Sequence, residues 1–82
     1  MGVAEDLADQ LAIDALKAEE ITGDERIIDE LANMMGATSQ TAEEAFLTAV
    51  RVRRANTKAR KMLAERVRAF KAAKDDGSAQ SE

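Results

Sequence analysis

Residues 41–74 read TAEEAFLTAVRVRRANTKARKMLAERVRAFKAAK, a run of 34 positions with neither glycine nor proline. Alanine, glutamate, lysine, arginine and leucine dominate it, and these are the residues that lose least on entering a helix. At 1.5 Å per residue such a helix is about 50 Å long. In a chain of 82 residues that leaves room for only two shorter helices. The expected fold is therefore all-α, two short helices and one long C-terminal helix, with no sheet. Thr38, Ser39 and Thr41 can each cap the long helix, and Thr41-Ala42-Glu43-Glu44 has the form of a capping box.

The long helix changes character halfway. Ala42, Ala45, Phe46, Leu47, Ala49, Val50 and Val52 surround most of its first half, which predicts burial among the other helices. Beyond that the apolar face narrows to a seam of Val52, Asn56, Ala59, Leu63, Val67 and Phe70, flanked by lysine and arginine. A narrow seam suits one partner helix, either the first helix folded back or the same helix of another subunit. Asn56 within it reads either as a buried residue pairing with its counterpart to fix register or as a half-exposed residue at the bundle edge. Ala45, Ala49, Ala59 and an interruption at Arg66 make a poor heptad pattern.

Upstream, residues 3–20 predict a first helix with Ala4, Leu7, Leu11, Ala15 and Ala18 on the core face and Ile13 and Leu16 opposite. Thr22-Gly23-Asp24-Glu25 has capping-box form, and Ile27, Ile28, Leu31, Met34 and Met35 follow at helical spacing up to a stop at Gly36. Residues 1–74 read as a single helical domain and 75–82 as a flexible polar tail.

The core is thin. Of 37 apolar residues 17 are alanine, so few bulky side chains are available to fill an interior. Proteins of this size usually add disulfides, a metal or a partner subunit. Cysteine and histidine are both absent, which removes disulfides and the usual zinc and transition-metal ligands. A homo-oligomer, a helical bundle assembled from several copies, is the remaining expectation. No apolar run reaches the length of a membrane span and the acidic start is unlike a signal peptide, so a cytoplasmic protein without a membrane partner is expected.

Charge is sharply divided. Residues 1–50 carry 12 acidic and 2 basic side chains, net −10; residues 51–74 carry 10 basic and 1 acidic, net +9; the last eight residues add −3. The basic face comprises Arg51, Arg53, Arg54, Lys58, Arg60, Lys61, Arg66, Arg68, Lys71 and Lys74. Such a helix can engage an acidic protein surface, the acidic half of another copy included, or lie along nucleic-acid phosphates. Phe70 is the only aromatic residue in the basic stretch, so base stacking on single strands has little to build on. A solvated basic face covered by the chain's own acidic first helix is the plain alternative.

Residues 31–46, LANMMGATSQTAEEAF, resemble the helix-turn-helix pattern of DNA-binding repressors. Ala32 would let two helices approach, Gly36 would turn the chain, and Gln40 would open a recognition helix. Glu43 and Glu44 stand where such a helix meets DNA, however, and no lysine or arginine lies between Arg26 and Arg51. A capped helical corner accounts for the same residues.

Catalysis has little to work with. There is no histidine base, cysteine nucleophile, tyrosine or glycine-rich phosphate loop. Neighbouring carboxylates such as Glu19-Glu20, Asp29-Glu30 and Glu43-Glu44 diverge by about 100° on a helix. No calcium loop is present, and Met34-Met35 reads as core filling. The expected function is that of a non-enzymatic helical adaptor or regulatory protein, without cofactor, acting through self-association and contacts with another protein. Nucleic-acid binding by residues 51–74 or by the 31–46 corner is the second reading.

Overall fold

The computed structural model describes residues 2–80, with side chains through Asp75, and it is a three-helix protein: α1 Val3–Thr22, α2 Ile27–Thr38 and α3 Gln40–Gln80. No strand occurs among the described residues. Glu5 lies beside Thr41 and Ala49, whereas Glu19 lies beside Arg54 and Thr57, so α1 and α3 run in the same general direction. α1 and α3 pack directly on each other, and α2, the link between them in the chain, packs mainly on α3.

The core is built on alanine. Ala12, Ala15, Ile28, Ala32, Phe46 and Val50 form one buried cluster, edged by Leu11, Leu16, Leu31, Met35, Leu47 and Ala49. Phe46 is fully inaccessible, and so is Ala12. Small residues on α1 and α2 bring those helices close enough for one phenylalanine to fill the space between three helices.

The core face of α1 keeps Leu11 and Ala15 of the expected stripe but is otherwise rotated from it. Ala8, Ala12 and Ala15 are buried, Ala4 and Leu7 are exposed, and Leu16 packs on the core edge. Larger side chains point to the inside when ranked by hydrophobic area alone. Here the close approach of the helices selects the alanine ridge and leaves the leucines flanking it.

The helix ends also differ from the sequence reading. Thr22 closes α1 instead of opening α2: its hydroxyl donates to the Ala18 carbonyl at 2.7 Å. Gly23 follows in the left-handed region at φ 71°, its N–H donating to Glu19 O. The chain then turns at Asp24, whose carboxylate accepts the Arg26 backbone N–H at 3.0 Å, and α2 follows from Arg26 without a side-chain capping bond. α2 passes through Gly36 to Thr38, and the chain reverses at Ser39, whose Oγ accepts the Ala42 N–H at 3.1 Å. Of the three candidate caps Ser39 is the one used.

α3 dominates the shape. The molecule measures 68 × 31 × 13 Å, and its radius of gyration is 19.3 Å, against about 12 Å for a compact chain of this length. The helix runs on through Gln80, beyond residue 74 where the polar tail was placed; residues 81 and 82 of that tail lie outside the described residues.

Candidate interaction surface on the distal half of α3

α1 and α2 cover only the first part of α3. Arg53 donates twice to the Asp9 carboxylate, from Nε and from Nη2, at 2.7 Å each. Arg54 reaches Glu19 at 2.9 Å. These pairs and Thr57 mark the end of the covered region, and every residue from Arg54 to Asp75 is exposed. Residues 58–75 therefore extend about 27 Å past the body as a single helix.

The Asp9–Arg53 fork is the best formed polar contact. The hydrogen bonds from Arg53 hold the Asp9 carboxyl below the usual carboxylate range, and Asp9 in turn raises Arg53. Asp24 is lowered as well, first by the Arg26 backbone N–H and then by its side chain. Sequence spacing gives no access to the Asp9 and Glu19 partners, 44 and 35 residues from their arginines.

All six seam residues are exposed: Val52, Asn56, Ala59, Leu63, Val67 and Phe70. The expected burial of Val52 is not found; it is 61 % accessible, while Val50 is buried. Two residues apart on a helix lie about 200° around the axis, so the face bearing the seam turns away from the Phe46 and Val50 face. Leu63 is 63 % and Phe70 67 % accessible. Met62, next to the seam and also exposed, was not in the expected row; its spacing of three from Ala59 is the signal that marks it.

The basic face divides into two cations bonded to α1 and eight in solvent. Arg53 and Arg54 are spent on α1, while Arg51, Lys58, Arg60, Lys61, Arg66, Arg68, Lys71 and Lys74 lie in solvent. Coverage of the whole basic helix by the chain's own acidic helix does not occur, because α1 ends too early. Residues 58–74 carry seven basic and one acidic side chain, a net +6 on one bare helix.

No protein-family model matches the chain, and neither does any curated protein or solved structure.

The corner at residues 31–46 lacks the turn of the helix-turn-helix pattern. Gly36 is helical, no positive φ occurs there, and Ser39 alone separates α2 from α3, where that motif has a turn of three to four residues. Glu43 packs back over Gly36. Among the described residues, no group of carboxylates is placed to hold a metal ion, and no helix is long and apolar enough to cross a membrane.

Proposed function

We propose that this chain is a non-enzymatic helical adaptor or regulatory protein that self-associates and engages another protein through the distal half of α3. The observation that carries this reading is an apolar row, Val52, Leu63, Val67 and Phe70, exposed along α3, three of whose four members lie beyond the part of that helix covered by α1 and α2. Surface area supports it. The chain exposes 6665 Å², where a compact monomer of 8.9 kDa exposes about 4800 Å². The excess is more than twice the roughly 800 Å² that each partner contributes to a standard interface. That excess is total surface, charged side chains included; its apolar part is the exposed row of α3, a patch of the kind that marks an interaction site.

Light scattering at about 100 μM tests it, with a mass above that of one chain as the expected result. Leu63→Asp is the matching variant. Leu63 is exposed and takes no part in the core, so the fold should stand while a carboxylate in the seam dissociates the assembly. A monomeric wild-type mass would refute the proposal.

Nucleic-acid binding is the second reading, favoured by the seven solvent-exposed cations of residues 58–74. In that case duplex binding at low salt weakens steeply between about 50 and 200 mM salt. Joint charge reversal of Arg60, Arg68 and Lys71 abolishes it without loss of helicity.

A further inference from the structure

The seam contains two polar interruptions, and they decide how two copies can lie on it. Val52, Asn56, Ala59, Leu63, Val67 and Phe70 repeat at intervals of eleven, 52 to 63, 56 to 67 and 59 to 70. Eleven residues take three turns at about 3.67 per turn, close to the natural helix, so the row stays on one face without heptad supercoiling. Arg66 lies on the same face, one turn after Met62 and Leu63. In a parallel pair each Arg66 would meet the other Arg66 and each Lys74 the other Lys74, with the two −10 bodies side by side.

Full overlap of the seam in an antiparallel pair places Val52 opposite Phe70, so the numbers of facing residues add to 122. The same register sets Ala59 against Leu63, small against large, and Asn56 against Arg66, an amide oxygen against a guanidinium. It also carries Lys74 over Thr48, into a hollow on α3 whose rim holds Glu5 and Glu44. One register thus pairs the apolar and polar positions of the seam, while Lys61, which it sets against its own counterpart, lies about 200° from Ala59 and from Leu63 and so faces away from the seam.

We propose that the occupant of the seam is a second copy of this chain, lying antiparallel in this register, with Asn56 of each copy hydrogen-bonded by Arg66 of the other. The proposal rests on the self-association argued above and adds its geometry. A twofold axis crosses the helix pair near residue 61, so each contact occurs twice.

The natural absence of cysteine makes the test direct. Chains carrying Val52→Cys and chains carrying Phe70→Cys are mixed and oxidised at a concentration where light scattering reports dimers. Both positions are exposed, so the monomer fold tolerates them. The expected result is a disulfide between the two kinds of chain and none within either kind alone, whose cysteines would be about 27 Å apart. In parallel, Asn56→Asp should tighten self-association by about tenfold, because Arg66 then binds a carboxylate at two symmetric places. Like-with-like disulfides together with weakening by Asn56→Asp would show a parallel pair and overturn the register while leaving self-association intact. Dimers without any cross-link would place the interface elsewhere and overturn it too. A monomeric mass would overturn both proposals at once.

Discussion

Phe46 and Ala12 together show what holds the body. Phe46 is the largest fully buried side chain, and Ala12 is the inaccessible floor against which the helices close. Phe46→Ala should cost about 3–5 kcal/mol, a large share of the roughly 4–12 kcal/mol available to a chain of this length. Urea melts read it as a midpoint shift or as outright unfolding. Ala12→Leu adds apolar area yet should destabilise by about 1–3 kcal/mol, because the site has no volume to give. A stabilised Ala12→Leu would mean that α1 does not pack through its alanine ridge. The Asp9–Arg53 fork adds an acid-sensitive contact. Asp9 is lowered in the fold, so its contribution is complete above the ordinary carboxylate value of about 3.9. It is lost as pH falls through the lower folded value. Melting temperature followed from about pH 5 to pH 2 should fall less steeply in Asp9→Asn than in the parent chain.

Helix ends set how the three elements meet, and two glycines there have opposite roles. Gly23 sits at φ 71° with open space around it, so Gly23→Ala meets no atom but strains the backbone and should cost about 1 kcal/mol. Gly36 lies inside α2, where a Cβ meets only the movable end of Glu43. Gly36→Ala should therefore gain roughly 0.5–1 kcal/mol of helix propensity once that carboxylate swings aside. Thermal melts of the two variants should move in opposite directions. This contrast also marks how far sequence reads at the scale of elements. Three helices, the long uninterrupted α3 and its change near Val52 were legible because apolar spacing and missing breakers are local properties. Thr22 and Gly36 misled for the reverse reason. A Thr or Gly fits either end of a helix, and the direction is decided by tertiary contacts such as Glu43 on Gly36 and by Gly23 closing α1. Leu11 and Ala15 of the α1 core face were legible, but Ala8 and Ala12 were hidden, since alanine shows weakly in any hydrophobic pattern until a phenylalanine 34 residues from Ala12 needs the room. The seam could be read as a row, but its complete exposure depends on where α1 ends.

At the scale of the molecule, body and distal helix have different sources of stability. The body buries Phe46 and its neighbours, whereas residues 58–75 are exposed throughout and contribute nothing to that core. A helix without tertiary contacts is held only by propensity and by propagation from its covered end, and it frays from the free end. If the seam pairs with a second copy, ordering of the distal half is coupled to association, and helicity becomes concentration-dependent. Circular dichroism at 222 nm should then show mean residue helicity rising from low micromolar to about 100 μM as residues 58–75 become fixed. Leu63→Asp should remain at the dilute value throughout, with its body intact, because the carboxylate blocks pairing without touching Phe46. A chain whose helicity is constant across that range, and equal in Leu63→Asp, would carry its distal helix by local propensity alone. The apolar row from Val52 to Phe70 would then have no part in folding this half of α3.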